Sequence, residues 1–233
     1  MCKTPDSVYP TRMSNVSTGA VLREIYKRLW SAYGPQHWWP AETPTEVVVG
    51  AILAQNTAWK NVERAIDDLK AADCLTWEAL REVTDERLTD LIRTAGTYRL
   101  KAARLKTFVH TLWEDHGGLL DSLLQGDLDR ARRRLLAIHG IGLETADSIL
   151  LYAAERPTFV VDAYTKRILR RHRLIDDDDY ETVRCLFQRA IAPEPRVYNE
   201  YHALLVAVGK HHCRARARCE GCPLEPMPHD ASR

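Results

Sequence analysis

Residues 135–162 read LLAIHGIGLETADSILLYAAERPTFVVD, and the fold turns on how this stretch is understood. A Gly-Ile-Gly turn, Gly140 to Gly142, separates two helical patterns, and a single acidic residue, Asp162, ends an apolar Phe-Val-Val run. Neither glycine carries a Cβ, so the backbone there can turn tightly and lie against another surface. The helix that follows aims free N–H groups and its positive dipole end back at the turn, which suits an anion. A nucleic-acid phosphate gripped in this way would be held without any base being read. A plain tight turn between two packed helices accounts for the same residues.

Outward from the turn, helical signals dominate. Val21, Ile25, Leu29 and Tyr33 recur at four-residue spacing across 19–33, the pattern of an amphipathic helix. An apolar segment over 45–54 ends in Gln55-Asn56-Thr57, and a second pattern runs from Trp59 to about Ala71. Further helices are expected over 75–83, 84–95, 98–116, 119–124, 162–174, 180–191 and 196–212. Thr84 and Asp85 suit N-caps, and Gly96 and Gly117 suit helix stops. No segment keeps a two-residue alternation, so the expected class is all-α.

The chain has 233 residues, 45% hydrophobic and 28% charged, which is ordinary for a globular protein of one or two domains. No apolar run approaches the roughly 20 residues of a membrane helix, and the polar N-terminus lacks the apolar centre of a secretory signal. We therefore expect no membrane partner and a cytoplasmic, reducing setting, in which cysteines serve as thiols or ligands. The formal net charge is +1, so a nucleic-acid partner has to be argued from local clusters. Arg130, Arg132, Arg133 and Arg134 precede the turn, and Lys166, Arg167, Arg170, Arg171 and Arg173 follow Asp162. Such runs read either as solvated helix faces or as a surface that tracks phosphates.

Four motifs in order carry a resemblance: Ala54-Gln55-Asn56-Thr57, Gly96-x-Tyr98-x-x-Lys101-Ala102, Ile138-x-Gly-Ile-Gly and Val161-Asp162. From about residue 20 to 224 the chain resembles the helix-hairpin-helix DNA glycosylases of the endonuclease III superfamily. The resemblance implies two helical domains with DNA bound in the cleft between them. One domain would be residues 35–156 and the other 1–34 with 157–233. It implies double-stranded DNA containing damaged bases as partner, and a monomer associated with the nucleoid. His139, Gly140, Ile141, Gly142, Thr145, Asn56 and Lys101 would contact DNA. Gln55 would reach into the gap left by a flipped base, although a satisfied buried amide fits the same position.

In that family a base is cut from its sugar, and the sugar gains positive charge as the bond breaks. A fixed carboxylate beside it stabilises the transition state and can orient or deprotonate a water. Asp162 aligns with the family's essential aspartate, and it also suits the N-cap of the helix that follows. Glu144 stands where bifunctional relatives carry a lysine whose amine attacks the sugar. Glutamate cannot form an imine, and here the chain looks like the 3-methyladenine glycosylases, so a monofunctional enzyme acting on alkylated purines is expected. The alternatives are an oxidised-pyrimidine glycosylase with weak or lost lyase activity and a DNA-damage binder that does not cut. Trp38, Trp39 and Trp59 are candidate walls of a pocket for a cationic base, or simply core aromatics.

Near the C-terminus, Cys213-x5-Cys219-x2-Cys222 looks like the 4Fe–4S loop of many family members. Clustered thiolates of this kind also suit zinc. The family's fourth cysteine would fall at Pro228, which has no side-chain donor. His229 stands next to it and could substitute, as could Cys2.

Overall fold

The computed structural model describes residues 17–232, so Cys2 lies outside the described residues. Among the described residues there are twelve α-helices and no strand. The chain divides into two compact units, Trp39–Arg156 and Met1–Trp38 with Pro157–Arg233.

The Trp39–Arg156 unit is built around α2 (Pro44–Leu53), whose residues 46–53 are all buried. A helix apolar on every side has to be enclosed, and its neighbours supply the enclosure. These include α3 (Trp59–Ala71), α6 (Tyr98–His116) and α9 (Leu143–Ser148), with the π turn Ile149–Ala153 that extends α9. The remaining helices are α4 (Trp77–Glu82), α5 (Asp85–Leu91), α7 (Leu120–Leu124) and α8 (Leu128–Ala137). Val48, Ile52, Leu69, Leu105, Phe108, Leu135, Ile149 and Leu150 lie in one continuous core. The boundaries follow local chemistry. The Thr84 side chain caps α5 by accepting from Arg87 N–H, and Gly117 stops α6 at φ +61°.

In the other unit, α1 (Thr18–Tyr33) packs on α11 (Tyr180–Ala190) and α12 (Pro195–His211), and α10 (Ala163–Arg171) packs on α12. The buried face of α1 is Leu22, Ile25 and Leu29; Val21 and Tyr33 from the expected stripe are only half-buried. The Phe-Val-Val run is a buried segment outside any helix, with Phe159 stacked on Phe187 at 3.8 Å. Where α10 meets α12, a Cβ added at Gly209 would overlap the Tyr164 ring, so glycine permits the close approach. Tyr201 is fully buried and donates to the Leu22 carbonyl at 2.7 Å, tying α12 to α1. Among the described residues no helix is long and apolar enough to cross a membrane.

Candidate functional site

The Gly-Ile-Gly segment joins α8 to α9 as a hairpin. Gly140 has φ +92°, and a Cβ there would overlap Arg104 Cγ, so both backbone and space demand glycine. Gly142 differs: its φ is −91°, and a Cβ there would meet nothing within 4 Å. It is exposed, it heads α9 without a side-chain cap, and it leaves open space for another surface to approach. His139 and Glu144 are also exposed on this segment.

Four of the residues expected at DNA make contacts inside the protein. Gln55 Nε2 donates to the Gly140 carbonyl and to Thr145 Oγ1, each at 3.0 Å, while its Oε1 accepts from Arg104 Nη1. Gln55 is a satisfied amide in this structure, and Thr145, 6% exposed, is one of its acceptors. Ile141 is 5% exposed in the core, and its N–H donates to the Ile138 carbonyl at 3.1 Å. Lys101 is 1% exposed, and its Nζ donates to the Leu53 and Ala95 carbonyls at 2.8 and 2.6 Å. It ties the last residue of α2 to the turn before α6 and cannot reach a ligand. Burial, then the neighbouring Arg104 charge, lower its pKa to about 8. Asn56 keeps its place: it is exposed on the same loop with φ +52°, a conformation asparagine tolerates. Arg104 is the residue missed by sequence reading, since nothing local marks it among the basic residues of α6.

The basic clusters are also partly committed. Arg132 forms a two-pronged pair with buried Asp147 at 2.8 and 2.9 Å, and Arg134 donates to the Leu123 and Gln125 carbonyls. Arg130 and Arg133 remain exposed on α8.

Asp162 lies in the other unit, 9% exposed, at the head of α10. Its Oδ1 accepts from Thr165 N–H at 2.7 Å, which fixes the carboxylate as an N-cap. Its Oδ2 lies 3.7 Å from His202 Nε2 on α12. Burial lowers the His202 pKa, with the Asp162 charge opposing. The cap hydrogen bond holds the carboxylate in place.

The structure brings two of the three tryptophans together. Trp39 meets Trp59 edge-to-face at 4.8 Å and Tyr152 at 5.1 Å, and it covers Gly50 of α2. Trp59 Nε1 donates to Glu63 at 2.7 Å. Trp38 belongs to the other unit, where Lys210 Nζ sits 5.7 Å above its ring.

Cys213, Cys219 and Cys222 line one cavity together with His172, His212 and His229. Burial is the main cause of a raised Cys222 thiol pKa, and Cys213 and Cys219 are near enough to add to it. Arg171 is 5% exposed, donates to Cys213 Sγ at 3.1 Å, and holds the Arg214 and Ala215 carbonyls. Among the described residues no group of three His, Cys, Asp or Glu side chains meets the geometry of a single metal-ion site. The donor set, three thiols and imidazoles around one cavity, fits the chemistry of an iron–sulfur cluster.

A family model described as HhH-GPD superfamily base excision DNA repair protein matches residues 49–193, taking in both the hairpin and Asp162. The chain belongs to this superfamily. It is a DNA glycosylase of the HhH-GPD, endonuclease III class. A Methanocaldococcus jannaschii protein named as a DNA repair glycosylase is 47% identical over 208 residues, 88% of this chain and 94% of that one. The H. pylori 3-methyladenine DNA glycosylase bound to 1,N6-ethenoadenine superposes with TM-score 0.72 at 25% identity, over 84% of this chain and 98% of that one. A non-covalent endonuclease III–DNA complex superposes with TM-score 0.78 at 20% identity, over 93% and 98%, a likeness of fold.

Proposed function

We propose that this HhH-GPD protein is a monofunctional enzyme that hydrolyses the N-glycosidic bond of alkylated purines in double-stranded DNA. The observation that carries the reading is Asp162, a buried carboxylate fixed by its helix cap, with His202 Nε2 3.7 Å behind it and burial opposing charge on that ring. As the base departs, positive charge grows on the sugar, and a carboxylate already in place and poorly solvated stabilises it strongly. The same group orients and deprotonates the attacking water. Glu144, exposed in the first turn of α9, offers a carboxylate and no amine, so water takes the sugar carbon. Alkylation leaves the purine cationic and its bond weak, so aromatic faces such as Trp39 and Trp59 suffice for selection. Gly140, Gly142, His139 and Asn56 would meet the DNA backbone and the vacated stack. The similarity to the H. pylori 3-methyladenine glycosylase supports this substrate class. The reading is of a monomer acting at the nucleoid, with a 4Fe–4S cluster held by Cys213, Cys219 and Cys222. When bound, such a cluster supplies a redox-capable anchor for its loop.

The test is base release from methylated duplex DNA. The wild type is expected to free 3-methyladenine, and Asp162→Asn to lose about 100-fold or more in rate with duplex binding retained. Borohydride should trap no adduct at abasic sites. Excision of thymine glycol instead would favour the oxidised-pyrimidine reading, and binding without turnover in both proteins would favour a damage binder.

A further inference from the structure

The cavity beside Arg171 is lined by three thiols, Cys213, Cys219 and Cys222, one short of a four-cysteine set. Three histidines share that cavity: His172, His212 and His229. Each has Nδ1 against a backbone carbonyl: His172 on Pro228 at 3.0 Å, His212 on Arg218 at 3.1 Å, and His229 on Met227 at 2.9 Å. A carbonyl only accepts, so each Nδ1 is the donor, and in that tautomer of the neutral ring Nε2 holds the lone pair. An Nδ1–H held by a carbonyl is the outer-shell arrangement that orients a histidine for binding metal through Nε2.

Position separates the three. His212 directly precedes Cys213, and His172 is 8% exposed at the end of α10. His229 follows Cys222 by seven residues and closes the loop at its far end. The chain pins it there, because the next residue, Asp230, donates its N–H to the Arg171 carbonyl at 2.7 Å. Arg171 therefore binds both ends of the loop: its guanidinium holds Cys213 and its carbonyl holds the residue after His229.

We infer that His229 Nε2 is the fourth ligand of the iron–sulfur cluster, giving a three-cysteine, one-histidine shell. This rests on the cluster reading above, and the two separate in the laboratory: iron and sulfide content report the cluster, and nitrogen coupling reports the ligand. A neutral imidazole in place of a thiolate leaves the cluster less negative and raises its reduction potential, as histidine ligation does in Rieske centres.

The experiment uses the whole protein, isolated anaerobically or reconstituted with iron and sulfide. After one-electron reduction or oxidation, pulsed EPR of natural and 15N-histidine-labelled protein is compared. The expected result is about four irons per chain and a nitrogen hyperfine coupling that changes with the label. His229→Cys should keep the iron, lose the coupling and shift the potential downward. His229→Ala should lose most of the iron, whereas His172→Gln and His212→Gln keep both iron and coupling. The inference is overturned by iron-free protein after reconstitution, by a cluster with no histidine coupling, or by a coupling that survives in His229→Cys.

Discussion

At the Ile138–Gly142 hairpin the polar groups face one another: Gln55, Thr145, Arg104 and the Gly140 carbonyl form one connected set. In the Cys213–His229 loop the thiols and the His229 imidazole line a cavity, and Arg167 and Arg171 tie back the loop's backbone and the Cys213 thiol. Both segments are irregular chain after a helix, and both are close to functional chemistry. The difference is in what completes them. The hairpin is finished by its own chain and offers a preformed surface at Gly142, whereas the loop's donors are arranged around what the proposed cluster would fill.

The largest expected effect tests that contrast directly. Stripping iron from the holoprotein should open the loop to trypsin at the exposed Arg214, Arg216 and Arg218 about tenfold faster or more. Cleavage at Arg130 and Arg133, exposed on α8 beside the hairpin, should not change. Equal sensitisation of both regions would break the comparison, and so would no change in either.

The converse perturbation strikes the hairpin alone. Gly140→Ala forces a Cβ into Arg104 Cγ at a backbone angle alanine rarely adopts, a cost of about 3 kcal/mol in chemical denaturation. Arg104→Ala in the same chain should recover the steric part and leave the backbone part. Iron content should stay at the wild-type level in both. Lys101→Met comes next, at about 2 kcal/mol, because it leaves the Leu53 and Ala95 carbonyls without their charged donor.

These positions also show how far the sequence could be read. Helices, caps and the hairpin were legible because they follow from nearby residues: Thr84 caps three residues ahead, and Gly140 turns the chain where it stands. Asp162 was legible as an N-cap for the same reason. The internal contacts of Lys101 and Gln55 were not legible because their partners are distant in the chain, 48 residues away for Lys101 with Leu53 and 85 for Gln55 with Gly140. A lysine in a helical pattern shows no sign of which carbonyls surround its tip. The arginine runs likewise gave no sign that Arg132 pairs with buried Asp147 or that Arg171 donates to Cys213 Sγ.

The smallest effect concerns His202, and its sign follows from burial. Its folded pKa lies below the ordinary value because the fully buried ring resists charge, with Asp162 opposing only in part. Below about pH 6.5 the unfolded chain takes up a proton on this residue that the folded chain refuses. Stability contributed by the neutral ring is therefore complete above that pH and is lost as pH falls from there through the folded value. In His202→Gln the melting temperature should decline less steeply over that acid window, with iron content unaltered. An unchanged slope would mean that Asp162 already holds the ring in its charged form, and the carboxylate would then carry a counter-ion where the proposed chemistry needs it unquenched.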